Sequence, residues 1–278
     1  MIFFGGGGNP EDFLHEAMEM IQRNQPKIAI SLFKKALKID PTHVEALYNL
    51  GLAQNQLKKY QDAITSFDKI LAINPNDAPA LNNRAIAMGE SGDIEGAFKC
   101  YEKSIDSDPK YAPAYYNKGV LHDKLLEHDE AIEWLDKSIK IEPRKINPRF
   151  YKGIVLGKLG RHEEALNCFE NICNSNPSHQ DSQFHKGIEL AELGQHEKAV
   201  KIFDRVLDKS GNNINLLYAK SRSKIALNQI NEGLELLRIS VKNSKDIKEW
   251  AKKKNYLRKF MMISVFSRLS DEVKALFF

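Results

Sequence analysis

Small and large apolar residues alternate with polar ones in a pattern that returns every 34 residues along most of the chain. In each period a small residue is followed four positions later by a large one, which is about one helical turn. A helix with this pattern can approach a neighbour closely at the small residue and pack against it with the large one. The small column contains Ala29, Ala63, Ala97, Ala131, Ala165, Ala199 and Gly233, and the large column Phe33, Phe67, Tyr101, Leu135, Phe169, Phe203 and Leu237.

A second column of small residues lies twelve positions before the first in every period. It predicts a separate helix that crosses the other one closely, so each period contains two helices. This column contains Ala17, Gly51, Ala85, Gly119, Gly153, Gly187 and Ser221.

Helix-breaking residues separate the predicted helices. In the first five periods a proline at one fixed position stops the second helix, and in five of the seven periods Gly or Asn between the two columns ends the first helix in a left-handed conformation. Asn9 before Pro10, and Asn147 before Pro148, each predict an N-cap followed by the first residue of a helix. The prolines are Pro41, Pro75, Pro109, Pro143 and Pro177; the helix-ending residues are Asn24, Gly92, Gly160, Gly194 and Asn228.

The whole pattern resembles the tetratricopeptide repeat, a helix-turn-helix unit whose hallmark residues occupy these columns. With each proline counted as position 32, seven repeats cover 10–43, 44–77, 78–111, 112–145, 146–179, 180–213 and 214–247. The resemblance implies an all-α, right-handed superhelical solenoid whose first helices line a concave groove that holds peptides or helices of partner proteins. Arg149 and Gln183 depart from the family's bulky residue at position 4. Residues 1–9 are predicted to be a flexible tail, and residues 248–278 capping or assembly helices.

The resemblance places first-helix positions 2, 5, 6, 9 and 12 in the groove, and the candidate residues come from positions 5, 6 and 9. Their mostly apolar character indicates a surface for a partner, such as a bed for an amphipathic helix. The alternative is that the residues at positions 5 and 9 pack between neighbouring first helices. The predicted groove residues are Tyr48, Asn49, Leu52, Asn82, Asn83, Ile86, Tyr116, Asn117, Val120, Phe150, Ile154 and Phe184.

Asparagine recurs at position 6 as Asn49, Asn83 and Asn117. A carboxamide both donates and accepts hydrogen bonds, so such a ladder is suited to grip an extended peptide backbone. Asparagine is also common at this position in the family, so both interpretations stand. No repeat has Lys at position 5 or Asn at position 9. The carboxylate clamp by which some family members hold chaperone tails is therefore absent.

Two further columns carry charge or metal-binding side chains. Position 7 holds Arg84, Lys118, Lys152, Lys186 and Lys220. We expect their stems to cover apolar surface and their heads to reach water or acidic neighbours, rather than to form a positive stripe. Position 17 holds His128, His162 and His196, which lie too far apart on neighbouring repeats to share a metal ion and are expected to pack at the turn.

Composition and charge exclude several classes of function. The chain of 278 residues is 42% hydrophobic and 28% charged, with no apolar run long enough to span a membrane. Its start lacks a secretory signal, which favours a cytoplasmic protein that is not integral to a membrane. Cys100, Cys168 and Cys173 have no metal-type spacing. No catalytic or phosphate-binding motif is present, so we expect neither an enzyme nor a cofactor or metal.

The C-terminal segment combines basic and apolar residues. Residues 242–259 carry eight Lys or Arg against Asp246 and Glu249. Three interpretations stand: a cap for the last repeat, a self-association surface, or a basic helix on a membrane or nucleic acid, although no nucleic-acid motif surrounds it. The self-association candidates are Phe260, Met261, Ile263, Phe266 and Leu269.

The sequence therefore predicts a protein–protein interaction scaffold that binds a partner peptide or amphipathic helix in its groove. The alternative is a self-assembling structural protein that forms homo-oligomers through its C-terminal helix. The identity of the partner does not follow from the sequence.

Overall fold

The computed structural model describes residues 8–211 and 213–243, and every regular element within them is an α-helix. The predicted all-α repeat architecture is confirmed. The predictions for the first seven residues and for residues 248–278, including Phe260, Met261, Ile263, Phe266 and Leu269, lie outside the described residues. The helices are α1 (Pro10–Gln22), α2 (Pro26–Ile39), α3 (Val44–Gln56), α4 (Tyr60–Ile73), α5 (Ala78–Ser91), α6 (Ile94–Ser107), α7 (Ala112–Lys124), α8 (His128–Ile141), α9 (Ile146–Lys158), α10 (His162–Ser175), α11 (Gln180–Glu192), α12 (His196–Ser210), α13 (Ile214–Ala226) and α14 (Ile230–Asn243).

The helix boundaries follow the 34-residue register. First helices begin at position 1 of a repeat and second helices at position 17. The residue at position 15 has a positive φ in each repeat, which confirms the prediction for the glycines and asparagines. Lys58 (φ 59°) and Leu126 (φ 65°) adopt the same conformation, although residues of these types rarely have a positive φ.

The two predicted N-caps have different outcomes. The Asn9 side chain accepts a hydrogen bond from the backbone N–H of Glu11, and Pro10 is the first helical residue, as predicted. The prediction for Asn147 is wrong because α9 begins at Ile146, so Asn147 lies inside the helix. Pro148 is tolerated there because an N–H in the first helical turn has no intrahelical acceptor to lose.

The chain forms two compact units, residues 1–148 and 149–278, which we describe separately as unit 1 and unit 2. In unit 1, consecutive helices from α1 to α8 pack as antiparallel pairs, and the first helices α3, α5 and α7 also pack side by side. In unit 2, α10 to α14 each pack on the next helix. In both units, small residues of first helices meet large residues of second helices, as Gly51 meets Phe67 and Gly187 meets Phe203.

The crossing of the two helices in a repeat depends on close packing at the small column. Ala63 and Phe67 on α4 are fully buried, and a Cβ atom at Gly51 on α3 would lie 2.6 Å from the Phe67 ring. In unit 2, a Cβ atom at Gly153 would lie 2.7 Å from the Phe169 ring. These distances are too short for any side chain, so the glycines let the helices meet.

The unusual residue Gln183 at position 4 has a defined role. Its Nε2 donates to the backbone oxygen of Pro177 at 2.5 Å, and Tyr115 at the same repeat position donates from its hydroxyl to the oxygen of Pro109 at 3.1 Å. Each side chain ties its first helix to the proline turn before it. A polar residue at this position therefore replaces a packing contact with a hydrogen bond.

Candidate functional site

The predicted groove residues of unit 1 lie on one surface formed by α3, α5 and α7. They occupy positions 5, 6 and 9 of three consecutive first helices, which the repeat stacks side by side. We call this surface the first-helix face of unit 1. It comprises Tyr48, Asn49, Leu52, Asn82, Asn83, Ile86, Tyr116, Asn117 and Val120.

Hydrogen bonds between repeats organise the asparagines of this face. Asn83 Nδ2 donates to the Tyr48 hydroxyl at 2.8 Å and to the backbone oxygen of Pro79 at 2.8 Å. Asn117 Nδ2 donates to Asn82 Oδ1 at 2.9 Å. Asn82 and Asn83 are buried. These amides therefore join neighbouring first helices and hold each other in fixed orientations.

Apolar side chains border this amide network. Leu52 is 37% exposed, whereas Ile86, Val120 and Tyr116 are half-buried. Burial raises the pKa of the Tyr116 hydroxyl, which therefore remains protonated and neutral at physiological pH. The face thus offers apolar contacts and neutral polar groups, with no charge of its own.

The predicted groove residues of unit 2 belong to an aromatic cluster. His185 lies between Phe150 and Phe184, with ring centroids 5.3 Å and 5.2 Å away, and stacks on Phe169 at 5.3 Å. Burial lowers the pKa of the His185 imidazole, so the ring is neutral at physiological pH. Ile154 is half-buried in the same unit. Sequence reasoning placed the phenylalanines in the groove but did not assign His185, although it occupies position 6.

A cavity of about 210 Å³ opens beside this cluster. Phe184 and His185 form part of its wall, and Asp181, Asn213 and Asn215 add polar groups. Asn213 Oδ1 accepts hydrogen bonds from the N–H groups of Asn215 and Leu216 as the cap of α13. The cavity is therefore built from the beginnings of two first helices and the aromatic cluster.

The position 7 cations form ion pairs with the preceding repeat. Four of them each meet an acid sixteen residues earlier on a second helix, which confirms that the heads reach acidic neighbours. Sequence reasoning missed these acids, although the recurring opposite charge at this spacing was visible. The pairs are Arg84–Asp68 (2.6 Å), Lys118–Glu102 (2.9 Å), Lys186–Glu170 (3.0 Å) and Lys220–Asp204 (2.5 Å).

The position 17 histidines do more than pack at the turn. His128 Nδ1 lies 2.8 Å from Asp123 Oδ1, and His162 Nδ1 lies 2.7 Å from Glu189 Oε2. Burial raises the pKa of Glu189. The pure packing role predicted for these two histidines is therefore incomplete. No group of three potential metal ligands occurs within residues 8–211 and 213–243.

The helices of the described residues are 13 to 15 residues long. Across the part of the chain that the structure describes, none of them combines the length and apolarity needed to cross a bilayer.

Family models identify the repeats. Models described as tetratricopeptide repeat match residues 44–77 and 112–145, residues 66–99, and residues 152–214. The chain belongs to the tetratricopeptide repeat family. This fold supports a role as a protein-interaction scaffold.

Solved structures show the same fold. A tetratricopeptide repeat protein from Parabacteroides merdae ATCC 43184 is 21% identical with a TM-score of 0.61, and the match covers 87% of this chain and 97% of that one. YrrB, described as a TPR protein with an unusual peptide-binding site, is 23% identical with a TM-score of 0.57, covering 67% of this chain and 97% of its own. TTC0263, a thermophilic TPR protein from Thermus thermophilus, is 22% identical with a TM-score of 0.57, covering 66% and 99% respectively. A search of curated protein sequences finds no significant match.

Proposed function

We propose that the chain is an interaction scaffold that binds a segment of a partner protein on the first-helix face of unit 1. The observation that carries this proposal is the row of accessible apolar side chains at position 9, beginning with Leu52, next to the bonded amides of Asn83 and Asn117. Apolar groups that remain accessible beside fixed polar groups are typical of recognition surfaces.

The chemistry of the face favours a segment with apolar anchors. Leu52, Ile86 and Val120 recur once per repeat, and an amphipathic helix lying across the first helices would bury its apolar side on them. Both Nδ2 hydrogens of Asn83 are used, so its Oδ1 is the atom left to accept a hydrogen bond from the partner. YrrB, with its unusual peptide-binding site, is an example of a similar fold that binds a peptide.

The aromatic cluster of unit 2 is a second part of the proposal. Phe150, Ile154 and Phe184 are half-buried, and they would supply a separate apolar anchor site with its own contribution to binding. Each unit is therefore tested by its own variant. We also propose that the protein acts in the cytoplasm and by binding rather than by catalysis.

The test begins with affinity purification of the full-length protein from its native cell and identification of the proteins retained. Binding of the retained partner is then measured for the double variant Leu52→Ala, Tyr116→Ala and, separately, for Phe150→Ala, Phe184→Ala. The matched control is Ile39→Ala, Ile73→Ala, which removes apolar side chains that are 49% and 48% exposed on second helices. Circular dichroism checks that every variant remains helical.

We expect the first double variant to weaken binding at least about tenfold, because truncating central anchors typically costs more than about 1 kcal/mol each. The control variant should bind like the wild type. Unchanged binding by the first variant, with helicity intact, would contradict the proposal for unit 1. The variant of unit 2 decides independently whether the aromatic cluster takes part.

Self-association through residues Phe260 to Leu269 remains an alternative proposal, based on the density of apolar residues there. Light scattering of the full chain and of a chain ending at Lys259 tests it. Assembly by the full chain alone supports the alternative, and equal monomeric masses contradict it.

A further inference from the structure

The ion-pair pattern between repeats is broken at the first junction, where α2 meets α3. Position 25 holds Lys34 instead of an acid, and position 7 holds Leu50 instead of a cation. At the next junction, Asp68 and Arg84 occupy these positions and form an ion pair at 2.6 Å. At the first junction a lysine therefore replaces the acid, a leucine replaces the cation, and no ion pair forms between these two positions.

A groove of about 410 Å³ lies at this junction. Helices α2 and α4 form its sides, and Leu37 and Leu50 contribute apolar surface. Gln54 and Ser66 close the floor through a hydrogen bond of 2.7 Å between their side chains. At the following junctions this space is occupied differently: Arg84 contacts Cys100, and the Lys118 ammonium lies 4.0 Å from the Trp134 ring centroid. The first junction is open because it lacks such side chains.

Lysines form the rim of this groove. Lys34, Lys38 and Lys69 line it together with one acid, Asp62, which leaves a positive excess. All three lysines are exposed, and none has an acidic partner within residues 8–211 and 213–243. Lys34 and Lys38 lie one helical turn apart on α2, where like charges repel.

Helix α13 has a similar excess of cations but differs from α2 in the neighbours of those cations. Both α2 and α13 carry several cations and no acid. On α13 each cation has an acidic neighbour on another helix, which neutralises the helix. The pairs are Lys220–Asp204 (2.5 Å), Arg222–Glu192 (2.9 Å) and Lys224–Glu232 (2.8 Å). Helix α2 has no such neighbours for Lys34 and Lys38 among the described residues, so its charge is available to an external anion.

We propose that the groove between α2 and α4 binds an acidic segment of a partner protein. Carboxylates of the segment pair with Lys34, Lys38 and Lys69, and an aliphatic side chain packs on Leu37. The lysines of this site lie on the second helices α2 and α4, and none of the residues of the first-helix face lines the groove. Nucleic acid fits less well because the lining contains no aromatic side chain on which bases stack.

The test measures fluorescence anisotropy of a short labelled peptide composed of Asp, Glu and Leu with the full-length protein. A matched peptide of Asn, Gln and Leu, and single-stranded RNA of the same length, serve as comparison probes. Two variants remove the site: Lys34→Glu with Lys38→Glu, and Lys34→Glu with Leu50→Arg, which rebuilds the ion pair found at the next junction. The control is Lys198→Glu with Lys201→Glu, which makes the same charge change on α12.

We expect the acidic peptide to bind the wild type and the α12 control alike, with affinity falling as salt rises. Both groove variants should bind at least about tenfold more weakly, because both replace the cation at position 34 with a carboxylate, which cannot pair with an acidic peptide. Leu50 is buried, so circular dichroism of every variant separates loss of the site from loss of folding. No binding by the wild type, equal binding by the groove variants, equal binding of the neutral peptide, or tighter binding of RNA would each overturn the proposal.

Discussion

The two units use the same repeat column for different chemistry. At position 6, Asn83 and Asn117 of unit 1 donate hydrogen bonds to the adjacent repeat, whereas His185 of unit 2 is enclosed by phenylalanine rings. The small and large columns behind them are the same in both units. Helix packing is therefore fixed by those columns, and the first-helix surface is free to differ.

The stability of the two units should therefore respond to different changes. A buried amide network is costly to interrupt, because removing one partner leaves the other unsatisfied. A buried neutral imidazole is costly to protonate, because the charged form is poorly solvated. Mutation of the amide network should thus destabilise unit 1, and low pH should destabilise unit 2.

The largest expected effect is on the amide network. Asn83→Ala should lower the free energy of unfolding by about 1–3 kcal/mol, since the Tyr48 hydroxyl loses its buried partner. Asn49→Ala is the control, because among the described residues Asn49 Nδ2 donates only to the oxygen of Glu45 in its own helix. It should stay within about 0.5 kcal/mol of the wild type in urea unfolding followed by circular dichroism. Equal losses in both variants would show that the network between repeats adds nothing.

The next effect concerns the pH dependence of unit 2. The pKa of His185 is lowered on folding, so the unfolded chain binds the proton more tightly. The contribution of neutral His185 to the free energy of unfolding is therefore fully present above about pH 6.5, the ordinary histidine pKa. It is lost as the pH falls from there toward the lower pKa of the folded state. Stability of the wild type should therefore fall more steeply below this pH than that of His185→Asn. Parallel stability curves for the two proteins would contradict the assignment.

The smallest effect concerns the turns between helices. Unit 1 places Leu126 at φ 65° with its side chain 77% exposed, whereas unit 2 uses Gly160 at φ 74°. Leu126→Gly should stabilise the protein by about 0.5–1 kcal/mol, as relief of left-handed strain exceeds the entropy cost of glycine. Gly160→Ala should destabilise it by about 1 kcal/mol. A Leu126→Gly variant less stable than wild type in thermal unfolding would refute this account of the turn.

Much of the fold could be predicted because backbone geometry repeats. The column from Ala29 to Gly233 and the prolines placed each helix within its repeat, since close helix crossings and helix stops depend on single residue types. The Asn147-Pro148 pair predicts an N-cap at Asn147 when taken alone, whereas the repeat register starts α9 at Ile146, as observed. Leu126 could not be predicted as a left-handed residue, because the repeat imposes that conformation on a side chain that does not favour it.

The candidate site could be predicted only in outline. Position alone placed Asn82 and Asn83 on the first-helix face. Their burial and their bonds to Asn117 and Tyr48 depend on side-chain geometry across repeats. The open groove at Lys34 could not be predicted either, because it follows only from the contact between position 25 and position 7 of the next repeat.

The most direct test of the central claim is photo-crosslinking. A photoreactive phenylalanine derivative is placed either at Leu52 on the first-helix face or at Ile73 on α4, both accessible apolar positions of unit 1. Each full-length protein is irradiated with the partner retained in affinity purification. We predict a covalent adduct with the partner from position 52 and none from position 73. An adduct formed only at position 73, or equally at both, would contradict binding on the first-helix face.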